Sequence, residues 1–321
     1  MLREILIYRQ GKARDGGRRG ARGRKLTDEG KRDAQRMGVW LDRNGLVPDQ
    51  IYSSNSFRAR STANNCCKAA NLGVAEVILD ADLYRAGRKN LIGFLRNLPE
   101  QTKRVMIVGH NPGLEKLVNY LGRTSDKDSA VEMDAGSLAH LRFTGGWQNL
   151  DKGCAQMIHL VHPRQLPEKF PYPTPDGPEQ RLRPAYYYSQ SAVVPFRKRK
   201  GKLEILLVTS GGGKKWIIPK GIHDPGITAQ DSAAKEAFEE AGVLGTVLDC
   251  KLGQYAYSKW GATCEVVVFP MEVTRELPSS QWDESHRDRR WLPVKKAAKL
   301  ISNDDIKLIV KSLPDCLGDC G

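Results

Sequence analysis

Trp216-Ile217-Ile218-Pro219-Lys220-Gly221-Ile222-His223-Asp224-Pro225-Gly226-Ile227-Thr228 runs into Ala229-Gln230-Asp231-Ser232-Ala233-Ala234-Lys235-Glu236-Ala237-Phe238-Glu239-Glu240-Ala241-Gly242-Val243. The stretch reads as a strand, a loop and a capped helix. Thr228 with Asp231 three residues on has the spacing of a capping box, the aspartate having the shorter reach. Ala233, Ala237 and Ala241 share one small-residue face, Ala234 and Phe238 fall beside it, and Gly242 supplies a C-terminal stop. A structural helix does not explain the acidic residues. Glu236, Glu239 and Glu240 stand at i, i+3 and i+4 near the C-terminus, where the helix dipole is already negative. Each like-charge pair there costs about 0.3 kcal/mol or more. A hard divalent cation removes the conflict, because oxygen ligands at this spacing hold Mg²⁺ with water and substrate phosphates completing the shell. The plainer alternative is a solvated acidic face.

Upstream, residues 191–196 and 203–209 are strand-like runs around Arg197-Lys198-Arg199-Lys200-Gly201-Lys202, the pattern of a hairpin. The helical run itself resembles the Nudix box: Gly, five residues, Glu, seven residues, then Arg-Glu-apolar-x-Glu-Glu-x-Gly-apolar. Gly221, Glu236, Ala237, Glu239, Glu240, Gly242 and Val243 match. Ile227 stands in place of the first glutamate and Lys235 in place of the arginine. In the family those two residues brace each other while the later glutamates bind metal, so losing both implies a swapped brace. The resemblance covers about residues 186–313. Residues 216–221 and Trp282-Asp283-Glu284-Ser285-His286-Arg287-Asp288-Arg289-Arg290-Trp291 look closest to the diphosphoinositol-polyphosphate-type branch. It implies Mg²⁺, or Mn²⁺ in its place, held by Glu236, Glu239 and Glu240 with Gly221 in the metal set, and water attacking a diphosphate linkage. Lys220 would neutralise phosphate charge and Glu284 is the candidate general base. A solvated loop lysine and an ordinary surface carboxylate are the plainer readings of those two.

The first half alternates strands (5–8, 50–53, 74–79, 104–108) with amphipathic stretches such as 28–41, the pattern of a largely parallel α/β sheet. Arg9-Gln10-Gly11, then Arg58 within Ser56-Phe57-Arg58-Ala59-Arg60, then Gly109-His110-Asn111 follow three of those strands. Ligands of open α/β sheets bind outside the carboxyl ends of strands, and guanidinium forks match phosphate oxygens. This half resembles the histidine phosphatase superfamily, in its small SixA-like phosphohistidine phosphatase branch. The match runs over residues 1–166, from Leu26-Thr27-Asp28-Glu29-Gly30 to Pro163-Arg164-Gln165-Leu166. In that family the first strand ends in Arg-His-Gly and the histidine is the nucleophile. Arg9, Arg58 and His110 match the arginines and the second histidine, and Gln10 stands at the nucleophile. A carboxamide has no basic lone pair to attack phosphorus, although it still donates a hydrogen bond to a phosphate oxygen. The expected pocket binds a phosphoryl group without turning it over. Rescue by His140 or His159, which read as core histidines in strands, and a decayed scaffold are the alternatives.

Between the halves, seven prolines fall within residues 163–184, too many for a helix interior or central strand. The expected architecture is therefore α/β throughout, with two α/β/α sandwich domains. A histidine-phosphatase-like domain with a mostly parallel sheet (1–166) precedes an extended linker (167–185), a Nudix fold with a mixed sheet (186–313) and a frayed tail (314–321) whose Cys316 and Cys320 have a metal or redox reading beside it. The 321 residues, 40% hydrophobic and 27% charged, exclude wholesale disorder, and no apolar run reaches membrane-spanning length. Seven cysteines without CxxC spacing signal neither a disulfide framework nor a zinc module, and a reducing cytoplasm is expected.

The net charge of +14 is uneven: residues 1–165 hold 28 Lys and Arg against 17 Asp and Glu. Seven of the fourteen residues 12–25 are basic, and their glycines suggest a mobile loop at the crevice mouth. The expected partner is a phosphorylated small molecule, nucleotide or polyphosphate-like, with a phosphorylated protein as an alternative. Neither a membrane nor nucleic acid is expected, since no aromatic interleaving accompanies the basic loop. The leading functional reading is a Mg²⁺-dependent pyrophosphohydrolase acting on a nucleotide-type or inositol-pyrophosphate-type diphosphate. A non-catalytic phosphoryl-ligand-binding or regulatory protein is the runner-up, and an active phosphohistidine phosphatase the third.

Overall fold

The computed structural model describes residues 1–15, 20–122, 130–282 and 284–319. Residues 16–19 of the basic loop, Asp283, and Cys320 with Gly321 lie outside the described residues. The chain divides into two compact units, Met1–Phe170 and Pro171–Gly321.

In the first unit, β1 (Leu2–Arg9), β2 (Gln50–Ser54), β3 (Val77–Asp80), β4 (Arg104–Gly109), β5 (Leu138–Thr144) and β6 (Gln156–Val161) form one sheet. Its order is β3-β2-β4-β1-β5-β6, with the first four strands parallel and the last two antiparallel. Strand alternation divides the core into two layers. Ile5 and Ile7 of β1 face α3 (Arg88–Arg96) and α4 (Gly113–Leu121), joining Leu91, Leu95, Leu114 and Leu117. Leu6 and Tyr8 face α1 (Asp28–Arg43) and α2 (Phe57–Ala69), joining Met37, Leu41, Ala59 and Ala63. Thr27 caps α1 by accepting from the Gly30 N–H at 2.9 Å.

Helices α1 and α2 pack so closely that a Cβ at Gly38 would lie 2.1 Å from the Cys66 carbonyl oxygen. Gly38→Ala gains about 1 kcal/mol of helix propensity but must push two backbones apart. The expected net loss is about 2 kcal/mol in urea unfolding of the first unit, with the slope of the transition unchanged.

Two expectations need correction in this unit. Residues 74–76 form a single 3₁₀ turn rather than strand, and Ile78 and Leu79 of β3 are about half exposed. β3 is the edge of the sheet, so this apolar run is not the buried strand its composition suggests. The described ends of the basic loop are also tied down: Ala13 bridges Leu26, Arg14 N–H donates to the Lys25 carbonyl at 2.8 Å, and Phe57 N–H donates to the Arg22 carbonyl at 3.0 Å.

The second unit begins with structure where a bare linker was expected. β7 (Phe170–Tyr172) pairs with β8 (Glu179–Arg181), and the Arg181 guanidinium lies 3.3 Å from the Tyr172 ring centroid and 4.9 Å from that of Tyr188. Prolines permit short edge pairing of this kind while excluding a longer ladder. The main sheet is mixed. β9 (Ser189–Arg199) and β10 (Lys202–Thr209) are an antiparallel hairpin turned at Lys200 and Gly201, both at positive φ. β15 (Ala262–Glu276) runs parallel to β9. Around them lie β11 (Trp216–Ile217), β12 (Lys220–Ile222), β13 (Val243–Val247), β14 (Gly253–Lys259) and β16 (Arg289–Pro293).

Helix α5 (Ala229–Ala241) covers one face through Ala233, Ala237 and Ala241, which meet Val193, Leu206 and Val208. Helices α6 (Val294–Leu300) and α7 (Asp304–Asp319) cover the other through Ala297, Ala298, Ile309, Val310 and Leu313. Both units are thus α/β/α sandwiches. The tail is not frayed from residue 314: α7 continues past Pro314, and Leu317 packs on the core. No helix among the described residues is long and apolar enough to cross a membrane.

Candidate functional site

In the second unit, α5 delivers the three glutamates and β12 delivers Lys220 and Gly221. Thr228 caps α5 by accepting from the Asp231 N–H at 3.0 Å, and Gly242 ends it in the left-handed region at φ 61°. The Glu236 carboxyl lies directly over Gly221, where a Cβ would sit 2.1 Å from its Cδ. Burial, followed by the charges of Glu240 and Glu239, pushes the Glu236 carboxyl up to about 7. Among the described residues it makes no hydrogen bond or ion pair, and the adjacent Lys235 is engaged elsewhere. Lys235 Nζ lies 2.7 Å from Asp224 Oδ2 and 3.9 Å from Glu239 Oε1. Burial alone would lower the Lys235 amine, but the Asp224 carboxylate more than offsets this and raises it. Asp224 is 6% exposed, and its loop is fixed by Ser232, whose hydroxyl accepts from the Asp224 N–H at 3.2 Å and donates to the Ile222 carbonyl at 3.1 Å.

Glu240 is held from two sides. Its Oε2 accepts from the Lys220 backbone N–H at 3.0 Å and its Oε1 from the Arg287 guanidinium at 2.6 Å. Burial still leaves its carboxyl above the ordinary range. Arg287 also donates to Glu284 Oε2 at 2.5 Å and to the Thr209 carbonyl at 3.0 Å, so it links Glu284 to the helix. Lys220 is no solvated loop lysine: its Nζ donates to Gln190 Oε1 at 3.1 Å and to the Tyr257 hydroxyl at 2.9 Å. Among the described residues no three His, Cys, Asp or Glu side chains are gathered closely enough to hold a metal ion as they stand. Glu240 faces Arg287 while Glu239 stands near Lys235. Sequence reading missed Asp224, Arg287, Gln190 and Tyr257. Arg287 is one of three arginines in its run, and nothing local marks the one that turns inward.

In the first unit, the carboxyl ends of β1, β2 and β4 and the start of α2 bring Gln10, Ser54, Ser56, Arg58 and His110 together. His110 Nδ1 is 2.8 Å from Gln10 Oε1 and 3.2 Å from an Arg58 nitrogen. His110 Nε2 is 2.9 Å from Ser54 Oγ and 3.2 Å from Ser56 Oγ. Arg9 turns aside to the Met133 carbonyl, leaving its Nε buried without a partner. Arg22, Arg58 and Arg85 surround the Tyr84 ring at 4.5, 5.9 and 5.5 Å, and Tyr84 stands edge-on to His110 at 5.3 Å. Burial lowers Arg58. His140 is wholly buried and bonded to Glu4 at 3.1 Å, away from this cluster.

Burial and then the charges of Arg58 and Arg85 lower His110 from its ordinary 6.5 to about 4. The folded unit binds the proton more weakly than the unfolded chain, so its stability is complete above pH 6.5 and falls as pH drops toward 4. The expected loss is about 3 kcal/mol. Denaturant melts between pH 7 and 4 measure it, and His110→Asn should flatten that part of the profile.

Residues 188–311 match the NUDIX domain and residues 5–85 match the histidine phosphatase superfamily (branch 1). The chain joins a histidine-phosphatase-type domain to a Nudix domain. The second match contains Arg9, Gln10 and Arg58, whereas His110 lies beyond it. Nudix hydrolase 12, mitochondrial, of Arabidopsis thaliana is 36% identical over 108 residues, which are 31% of this chain and 52% of that protein. An uncharacterized protein of Mycobacterium tuberculosis is 28% identical over 148 residues, 44% of this chain and 90% of its own. A structure of the protein histidine phosphatase SixA complexed with tungstate is 19% identical, covering 50% of this chain and 98% of its own, with a TM-score of 0.44. The chain spans about half the length of the first curated Nudix relatives it matches.

Proposed function

We propose that the Nudix domain is a Mg²⁺-dependent hydrolase of diphosphate linkages in a nucleotide-type or inositol-pyrophosphate-type substrate. The observation that carries this is Glu236: a mostly buried carboxylate over Gly221, pressed by two like charges, with its neighbouring lysine committed to Asp224. Such a group is costly to keep ionised unless a cation completes it. The donor set is chemically suited to Mg²⁺ or Mn²⁺, with Glu236, Glu239 and Glu240 as holders and the Gly221 backbone beside them. When bound, the ion neutralises diphosphate charge and favours attack by water. The chain's own residues do the rest. Lys220 places an ammonium, steadied by Gln190 and Tyr257, for phosphate oxygens. Glu284 Oε accepts the water proton once Arg287, which it shares with Glu240, shifts toward the developing phosphate charge.

In the phosphatase-type domain, Arg9, Gln10, Arg58 and His110 bind a phosphoryl group that the domain does not hydrolyse. The buried Arg9 Nε without a partner and the three arginines around Tyr84 support an anion there. The SixA-like branch and the cytoplasmic setting belong to this reading. A second reading, binding without turnover in both domains, draws on the Arg287–Glu240 pair, in which a guanidinium takes up a carboxylate oxygen that a metal ion would need.

The discriminating measurement is Mg²⁺-dependent phosphate or pyrophosphate release from nucleoside di- and triphosphates, dinucleoside polyphosphates and inositol pyrophosphates. Turnover of one class that vanishes without metal supports the hydrolase. No turnover of any, with Mg²⁺ affinity unchanged by Glu239→Gln, leaves only the binding reading.

A further inference from the structure

Cys250 lies in the loop between β13 and β14, and Cys316 in the last turn of α7, 66 positions apart in sequence. Their Sγ atoms are 3.3 Å apart, and both are half-buried. Packed elements set this approach. Val310 and Leu313 of α7 are wholly buried, and Leu317, next to Cys316, packs on the same core. Three residues after Cys250, a Cβ at Gly253 would lie 2.7 Å from Ile309 Cγ1, so the start of β14 rests directly on α7. Asp249, the neighbour of Cys250, accepts from Gln230 Nε2 at 3.2 Å, which ties the same loop to α5. The other buried thiols are protected: burial pushes Cys67 up to about 12 and Cys66 well above its ordinary value.

We propose that Cys250 and Cys316 form an oxidative modification site, a disulfide that closes under a peroxide and fastens α7 to the β13–β14 loop. The sulfurs need to approach by only about 1.2 Å to reach bonding distance. One thiolate attacks the peroxide O–O bond, becomes a sulfenic acid, and the departing hydroxide takes up a proton as water. The second thiol attacks that sulfur, the S–O bond breaks, and a second water leaves. Both sulfurs are oxidised, hydrogen peroxide is reduced, and the protein loses two hydrogens. The crosslink closes a long loop of the unfolded chain, so the Nudix domain gains stability when it forms.

The test treats the full chain with hydrogen peroxide and maps its peptides without reduction. A Cys250–Cys316 linked peptide should form before Cys66, Cys67 or Cys264 is modified, and dithiothreitol should reverse it. The Tm of the Nudix transition should rise by about 5–10 °C in the wild type and by nothing in Cys250→Ser or Cys316→Ser. Sulfinic acid at either position without the link, or Cys316 linked to Cys320 instead, overturns the proposal. A link that leaves Tm unchanged overturns the fastening of α7. Peptide mapping of the wild type needs no variant to fold.

Discussion

Glu236→Gln is expected to abolish metal-dependent turnover while raising the melting temperature of the metal-free protein. Both effects have one cause. The Glu236 carboxyl is mostly buried, covers Gly221, and faces the charges of Glu239 and Glu240. The one cation on its helix turn, Lys235, is drawn 2.7 Å from Asp224. Without metal, the ionised group is an unpaired buried charge, and an isosteric amide removes that penalty. A gain of about 1–2 kcal/mol is expected for the apo protein, visible in denaturant midpoints near pH 7.5. With Mg²⁺ and substrate the same amide is a poorer ligand for a hard cation. Turnover should fall by at least about a thousandfold, equivalent to roughly 4 kcal/mol of transition-state stabilisation. Added Mg²⁺ should stabilise the wild type and not the variant. A purely structural acidic face gives a different pattern: Glu236→Gln would change neither turnover nor the Mg²⁺-dependent shift in Tm. Lys235→Ala supplies the contrast, since it removes the ammonium beside the buried Asp224 carboxylate and is expected to lower stability.

The sequence made the glutamates legible because their spacing and their place near a helix C-terminus are local facts. The two layers of the first sheet were legible for the same reason, since Ile5 and Ile7 alternate with Leu6 and Tyr8 within one strand. What Lys235 pairs with was not. Its partner, Asp224, is reached only through the loop path that Ser232 fixes, eleven residues away in sequence. Arg287 lies 47 residues from Glu240, and its inward turn depends on the Thr209 carbonyl at the end of β10. For Lys220, expected to neutralise phosphate charge, the plainer alternative was a solvated loop lysine. A three-residue pairing with β9 makes it a strand residue, with Gln190 beside it. Proline density misled in the opposite direction over residues 170–181, since it forbids long ladders yet permits the short β7–β8 pair. Over residues 314–319 the fraying usual at a chain end was expected, whereas Leu313 and Leu317 hold α7 on the core.

Gln10→His is expected to give the first domain phosphatase activity. In the wild type, Gln10 Oε1 stands 2.8 Å from His110 Nδ1, with Arg58 3.2 Å from the same nitrogen. The side chain at position 10 therefore already projects into the arginine-lined crevice, at the end of the first parallel strand. An imidazole there brings a lone pair capable of attacking phosphorus, which the carboxamide lacks. Arg58 is in place to meet the transferred group's charge, and a neutral His110 can donate a hydrogen bond to it. Hydrolysis of p-nitrophenyl phosphate should rise from background by about a hundredfold or more in Gln10→His. A phosphohistidine at position 10 should be trapped by mass spectrometry at alkaline pH. The double variant Gln10→His/Arg58→Ala should return to background, while the wild type should bind tungstate in an Arg58-dependent manner without turnover. If tungstate binds neither the wild type nor Gln10→His, the crevice is not a receptor for a phosphoryl group. Tungstate binding without turnover in Gln10→His would instead place the deficit in the transfer step, where the Arg9 guanidinium, now turned to the Met133 carbonyl, would have to swing back toward phosphate.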